Sequence, residues 1–140
     1  MRLFIDTWGW LTLRDRREAR HKEVQALYHK VRDQNGRFFT TDYVLDETFT
    51  LLFKRLPFSK AWESMERLDE AMQKGYLQFE WITPERFADA KRLRLKFQDK
   101  PRISFTDLSS MVVMNELDIA NILTEDSHFS QVGMGFLIAP

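Results

Sequence analysis

The sequence contains no cysteine, only five glycines and four prolines, and no net formal charge over its 140 residues. The absence of cysteine excludes disulfides and thiolate metal sites and is typical of a reducing compartment, so we expect a cytoplasmic protein. No apolar run approaches the length of a membrane span, and Met1 leads directly into a predicted strand, so neither a membrane helix nor a signal peptide is expected. Zero net charge argues against indiscriminate binding to polyanions.

Hydrophobic residues are abundant, at 44% of the sequence with 14% aromatic. A chain of this length can bury roughly two thirds of its unfolded surface. Repeats, low-complexity tracts and linkers are absent. We therefore predict one domain over residues 1–140.

The charges are unevenly distributed along the chain. From Ile103 to the C-terminus there are five acids and no lysine or arginine, whereas residues 84–102 carry seven basic residues against three acids. A second basic cluster lies within residues 14–20. These flanks are either ordinary solvated surface or phosphate-binding surfaces around an acidic centre.

Short apolar runs alternate with amphipathic segments from end to end. The pattern predicts strands at residues 2–5, 37–40, 77–82, 119–124 and 136–138, with a turn at 6–9. It predicts helices at 17–35, 42–55, 60–74, 84–97 and 105–116, and the apolar stripe of the third helix predicts that Trp62 faces inward. This alternation predicts an α/β fold, specifically a three-layer α/β/α sandwich around a mostly parallel sheet of about five strands.

Four acids fall where a parallel sheet would collect them. Asp6 follows the first strand, and Asp126 follows the fourth. Glu47 lies early in the helix after the second strand, and Asp107 lies in the first turn of an apolar helix. Strand exits and following helix starts share one edge of an open α/β sheet, so these side chains are predicted to converge there.

Crowded carboxylates repel each other and require a positive partner. With no cysteine and three histidines in the sequence, the ligands would be almost entirely oxygen atoms. Such a set favours Mg²⁺ or Mn²⁺ over Zn²⁺ or Cu²⁺. A hard cation held by several acids can support phosphodiester hydrolysis.

Each of the first two acids has a structural alternative. Asp6 could be a turn residue that caps the following segment. Either Glu47 or its neighbour Asp46 could be the site residue. The helical repeat places Glu47 on one stripe with Tyr43, Thr50 and Leu51, whereas it directs Asp46 about 100° away.

The other two acids also have alternatives. Ser104 and Asp107 have the spacing of a capping box, in which the acid serves only the helix start. Either Asp126 or its neighbour Glu125 could be the fourth site residue. Thr7 and Thr124 are either water- or phosphate-positioning groups or ordinary strand-end hydroxyls, and His128 is placed outside the catalytic set.

The segments FIDT, TTDYVLDETFTLL, SFTD and LTEDSHF, in this order, resemble the PIN-domain nucleases, a group that includes the toxins of VapBC toxin-antitoxin modules. The resemblance covers essentially the whole chain. It implies a metal-dependent endoribonuclease with Asp6, Glu47, Asp107 and Asp126 as direct or water-mediated ligands of Mg²⁺ or Mn²⁺. It favours Asp126 because Thr124 and Asp126 match the family's T-x-D pattern.

The same resemblance implies partners: an RNA substrate, an antitoxin protein that blocks the site, and a second copy of the chain in a homodimer. The alternative function is a non-catalytic RNA- or protein-binding module that keeps the acids for its fold.

Overall fold

The computed structural model describes all 140 residues, from Met1 to Pro140. The elements in chain order are β1 (Arg2–Ile5), α1 (Thr7–Arg14), α2 (His21–Asp33), β2 (Arg37–Thr41), α3 (Asp42–Arg55), α4 (Phe58–Gln73), β3 (Leu77–Glu80), α5 (Pro84–Lys96), α6 (Phe105–Glu116), β4 (Asn121–Leu123), α7 (His128–Gln131) and β5 (Leu137–Ala139). None of the helices combines the length and the apolar character that crossing a membrane requires.

The five strands form one sheet in the order β3-β2-β1-β4-β5, and all neighbours are parallel. The predicted α/β/α sandwich with a five-stranded sheet is confirmed. From β1 the chain builds outward to β2 and β3, then returns to the other side of β1 to add β4 and β5. The carboxyl ends of β1 and β4 therefore flank the switch point where open α/β sheets bind ligands.

The central strand explains why the sheet forms. Leu3, Phe4 and Ile5 are completely buried, as expected for a parallel strand covered on both faces. Leu3 is in register with Phe38 on one side and with Asn121 on the other. The site that follows β1 is thus anchored to the most buried part of the core.

The predicted turn at residues 6–9 is wrong, because helix α1 begins at Thr7. Asp6 has an extended backbone, and its carbonyl oxygen accepts a hydrogen bond from the Trp10 amide at 3.1 Å. This bond is the first of the helix. Trp10 and Leu11 then bury against the core. The glycine between two tryptophans suggested a turn, but tertiary packing outweighs its low helix propensity.

Several boundaries also differ from the prediction. Helix α2 begins at His21 rather than residue 17, because Asp15 accepts the Arg17 amide at 3.0 Å and holds the preceding segment in a loop. Helix α4 begins at Phe58, two residues before the predicted start. Trp62, which the helical pattern directed inward, is 49% exposed. Strands β3 and β4 are shorter than predicted, and the four-residue α7 was not predicted.

Gly9 allows α1 to lie against the ends of β1 and β4. A Cβ atom at this position would lie 2.8 Å from the Leu123 carbonyl oxygen and 2.9 Å from side-chain atoms of Ile5 and Leu123. The carbonyl belongs to the backbone and cannot rotate away. The glycine is therefore needed for close approach, and it keeps the first turn of α1 beside Asp6.

We expect Gly9→Ala to lower the free energy of unfolding by about 1–3 kcal/mol, because overpacking outweighs the better helix propensity of alanine. Urea denaturation followed by far-UV circular dichroism measures the change. Gln25→Ala, at an exposed position of α2, is the control and should stay within about 0.5 kcal/mol of wild type. A Gly9→Ala protein as stable as wild type would contradict the close-approach argument.

Candidate active site

A cleft of about 850 Å³ opens at the carboxyl ends of β1 and β4. All four predicted acids, Asp6, Glu47, Asp107 and Asp126, line it. Three arginines, Arg20, Arg55 and Arg102, also line it. The structure therefore brings the predicted site residues together in one cavity at the switch point of the sheet.

Asp6 lies at the base of this cleft. It is 6% exposed, and one carboxylate oxygen accepts the Thr124 hydroxyl at 2.9 Å. Its side chain makes no capping bond to α1, which argues against the alternative role as a cap. Burial raises the pKa of Asp6 to about 6; the backbone amide of Thr7 and the hydroxyl of Thr124 oppose this rise, and the charges of Glu47 and Asp126 add to it.

Asp107 lies in the first turn of α6. The Ser104 hydroxyl accepts its backbone amide at 3.0 Å, so the helix is capped by Ser104. The reciprocal bond of a capping box, from the Ser104 amide to the Asp107 carboxylate, is not formed. Burial raises the pKa of Asp107 to about 8, assisted by the charge of Asp6 and by hydrogen bonding to Asp126. This carboxyl group faces the other acids instead of capping the helix.

The Thr124 hydroxyl connects two of the acids. It donates to Asp6 and accepts the backbone amide of Asp126 at 3.1 Å. Thr124 is completely buried at the end of β4. One hydroxyl therefore sets the position of Asp6 relative to the loop that carries Asp126, which is more than the strand-end role considered from the sequence.

The geometry of the cleft distinguishes between the two acids of each adjacent pair. Glu47 lines the cleft and its charge contributes to the raised pKa values of Asp6 and Asp107, whereas Asp46 does not line it. Asp126 and the exposed Glu125 both line the cleft, but only Asp126 contributes to the raised pKa of Asp107. The preferences for Glu47 and Asp126 thus agree with the geometry, and ligand roles for the four acids stay a prediction.

His128, predicted to lie outside the catalytic set, lies beside these acids. Its Nδ1 atom is buried and lies 3.0 Å from Oδ1 of Asp126, but the two atoms are not aligned for a hydrogen bond. One ligand atom from each of Asp107, Asp126 and His128 can be chosen within 4.8 Å of the others. The Asp-x-His spacing was the available signal, but a single histidine before Phe129 also fits a packing role.

Thr7 offers an unused polar group in the same cavity. Its hydroxyl oxygen is buried and has no hydrogen-bond partner within the protein, although the residue lines the cleft. A buried hydroxyl without a partner is costly. It can be satisfied by a water or a ligand oxygen in the cleft.

Comparison with known proteins gives a consistent result. The PIN-domain family model matches residues 3–134. The chain is 31% identical to a VapC ribonuclease of Archaeoglobus fulgidus over 140 residues, which cover 96% of this chain and 83% of that protein. It is 28% identical over 132 residues to the 23S rRNA-specific endonuclease VapC20 of Mycobacterium tuberculosis, with 94% of each chain covered.

Solved structures support the same assignment. The crystal structure of M. tuberculosis VapC20, described as a Sarcin-Ricin loop cleaving toxin, superposes with a TM-score of 0.79 at 27% identity over 96% of each chain. VapBC2 from Rickettsia felis, bound to a DNA fragment from its promoter, superposes with a TM-score of 0.69 over 99% of this chain and 98% of that one. At 14% identity the latter shows the fold alone. The resemblance inferred from the sequence is confirmed, and the chain belongs to the PIN-domain family as one of its VapC-type members.

Proposed function

We propose that this protein is a metal-dependent endoribonuclease in which Asp6, Glu47, Asp107 and Asp126 hold Mg²⁺ or Mn²⁺. The observation that carries the proposal is the convergence of these acids in one cleft, where the pKa values of Asp6 and Asp107 are raised to about 6 and about 8. Burial is the largest cause of both raised values and the charges of the neighbouring acids add to it, so the ionised acids are unfavourable without a cation. The whole chain, residues 1–140, acts as a single domain.

The donor set fits a hard divalent cation. Carboxylate oxygens dominate the cleft, and the one nearby imidazole belongs to His128. Oxygen-rich sites favour Mg²⁺ and Mn²⁺, and Mn²⁺ also tolerates an imidazole nitrogen. When bound, the cation supplies the positive charge that activates a water nucleophile and stabilises the phosphate during phosphodiester hydrolysis.

The protein's own groups would orient the reactants. Thr124 fixes Asp6, and Ser104 holds the backbone of Asp107 so that its carboxyl group stays in the cleft. The unpartnered Thr7 hydroxyl can bind a water or a phosphate oxygen. Burial of Asp6 and Thr124 at the floor of the cleft strengthens their electrostatic interactions.

RNA is the proposed substrate because both curated relatives named above are ribonucleases or rRNA endonucleases. We propose that the protein is the toxin of a type II toxin-antitoxin module, acts in the cytoplasm and forms a homodimer. Its antitoxin would block the acidic cleft, and a basic side chain is complementary to the carboxylates there. A non-catalytic binding module is the outcome if no cleavage occurs.

Replacing Asp107 by asparagine should reduce Mn²⁺-dependent RNA cleavage at least roughly 100-fold, because a charged group that stabilises the reaction is lost. Gel-based cleavage assays with Mg²⁺, Mn²⁺ or chelator measure the effect. Glu125→Gln, which removes an exposed acid from the same cleft, is the matched control and should remain near wild type. Cleavage at the wild-type rate by Asp107→Asn would show that Asp107 is not a site residue. A wild-type protein that is inactive with both metals would favour the alternative function, a non-catalytic binding module.

The metal-free protein should lose stability as pH rises through the acidic and neutral range. An acid with a raised folded-state pKa favours folding when protonated, so its contribution is full below pH 4 and is lost as pH rises to the folded value. The stability is lost between about pH 4 and pH 6 for Asp6 and between about pH 4 and pH 8 for Asp107. Within its range, each group lowers the free energy of unfolding by up to about 1.4 kcal/mol per pH unit.

Asp107→Asn should therefore be more stable than wild type near pH 7.5 in chelator, by more than about 1 kcal/mol, and equal to it near pH 4. Added Mn²⁺ at ~100 times its dissociation constant should stabilise wild type by about 2.7 kcal/mol and the variant far less. Thermal melting curves at both pH values measure these differences. A variant less stable than wild type at pH 7.5 would indicate that Asp107 serves the helix start instead.

Removing the Thr124 hydroxyl should weaken cation binding roughly 10–100-fold, because Asp6 and the Asp126 amide lose their common partner. Thr124→Val keeps the size of the side chain, and its loss of a hydrogen bond should raise the pKa of Asp6 further. Isothermal titration with Mn²⁺ measures the affinity. Thr124→Ser retains the hydroxyl and should bind nearly as well as wild type. Equal affinities in the two variants would show that the hydroxyl does not position the site.

A further inference from the structure

A second cleft, the basic groove, lies where the end of α1 meets the start of α2 and the junction between α3 and α4. It has a volume of about 540 Å³ and two acidic lining residues, Asp15 and Glu63. Six lysines and arginines line it: Arg14, Arg16, Arg17, Arg55, Lys60 and Arg67. Because the whole chain has no net charge, this is a local concentration of positive charge.

Two of these six cations have no ion pair, whereas Arg67, for example, pairs at 3.0 Å with Glu70 outside the groove lining. Asp15 is buried and pairs with Arg17 at 3.0 Å. Glu63 lies 3.9 Å from Lys60 and 3.7 Å from Arg67, distances too long for short charge-assisted hydrogen bonds. Arg14 and Arg16 form no ion pair with any residue of the chain.

Arg14 is the most constrained of these cations. Its Nε donates to the Ser64 hydroxyl at 2.9 Å, and its other guanidinium nitrogens have no partner in the protein. Burial lowers the pKa of Arg14; the charge of Glu63 opposes this effect and that of Arg67 adds to it. A partly desolvated cation with free donors is unfavourable alone and is stabilised by an anion.

The basic groove adjoins the candidate active site. Arg55 lines both cavities, and its guanidinium is held by Glu18 at 3.0 Å. A polyanion that leaves the acidic cleft can therefore pass Arg55 and enter the groove. Guanidinium groups match phosphate oxygens in geometry and charge.

We propose that the basic groove binds the phosphodiester backbone of the RNA next to the scissile bond, with Arg14 and Arg16 as phosphate-binding residues. This inference rests on the proposed ribonuclease function. The recognition is by charge, so it should act equally on different RNA sequences.

Binding can be measured without cleavage by using the full-length Asp107→Asn protein in chelator with a fluorescein-labelled single-stranded RNA. In this background, Arg14→Gln and Arg16→Gln should each weaken binding roughly threefold to tenfold. Each should also reduce the slope of log affinity against log salt by about 0.7, the value for one phosphate contact on a single strand. Arg16 is exposed and forms no side-chain hydrogen bond or ion pair, so its replacement tests the groove even if Arg14→Gln perturbs folding.

Arg37→Gln is the matched control. Arg37 is an exposed arginine without an ion pair. It lies at the amino end of β2, and the site lies at the opposite, carboxyl ends of the strands. Its replacement changes the net charge by the same amount and should leave affinity and salt slope unchanged. Melting curves for all variants verify that they are folded.

Steady-state cleavage by the otherwise wild-type protein supplies a second readout. Arg14→Gln and Arg16→Gln should raise KM several-fold with kcat near wild type, because contacts away from the scissile bond bind substrate and transition state equally. A structural defect at the site would lower kcat instead.

Unchanged RNA affinity and KM in both variants would overturn the inference, while wild-type cleavage would still support the proposed function. Absence of metal-dependent cleavage together with weakened RNA binding would contradict the nuclease function and leave the groove as an RNA-binding surface. An oligoglutamate peptide provides the competing anionic probe. Weakened peptide binding with unchanged RNA binding would assign the groove to an acidic protein segment and overturn the proposal.

Discussion

The burial and mutual repulsion of the carboxylates at the carboxyl ends of β1 and β4 form the constraint on which the rest of this structure depends. The pKa of Asp6 is raised to about 6 and that of Asp107 to about 8, and burial is the largest cause in both cases. Such a cluster lowers the stability of the folded state, so the surrounding structure must be stable enough to hold it. The completely buried Leu3, Phe4 and Ile5 directly before Asp6 provide this support.

The rigid part of the site is small. Asp6 and Thr124 are buried at the ends of adjacent strands and are joined by a hydrogen bond of 2.9 Å. Glu47 is exposed, and Asp126 is only partly buried on a loop. The buried pair defines the floor of the cleft, while the more exposed acids can adjust to a cation and a substrate above it.

The sequence predicted the sheet and the edge on which the acids converge, because strand-helix alternation strongly restricts the topology of a parallel sheet. It did not predict α1, since Gly9 resembles a turn residue until Leu123 of the distant β4 is placed beside it. Long-range contacts of this kind leave no local pattern. Trp62 was assigned to the core for the same reason, because helical periodicity identifies an apolar stripe without showing whether another element covers it.

The site shows the same division between local and long-range information. The spacing of Ser104 and Asp107 fits a capping box, and only the structure shows that Ser104 caps the helix while the Asp107 carboxyl faces Asp6 and Asp126. The proximity of Nδ1 of His128 to Asp126 depends on how the loop after β4 folds back, since the His128 amide donates to the Asp126 carboxylate at 2.9 Å.

The zero net charge of the chain conceals two adjoining cavities of opposite character. The acidic cleft favours a cation, the basic groove has two arginines without ion pairs, and Arg55 lines both. A cation alone would satisfy the first cavity, and an acidic peptide alone would satisfy the second. An RNA strand together with a divalent cation satisfies both, because each phosphate can share the cation at the acids while its neighbours along the strand contact the arginines. The charge pattern therefore favours an extended polyanion that carries metal ions. This combination of negative charge and bound cations in one ligand connects the basic groove to the proposed nuclease chemistry.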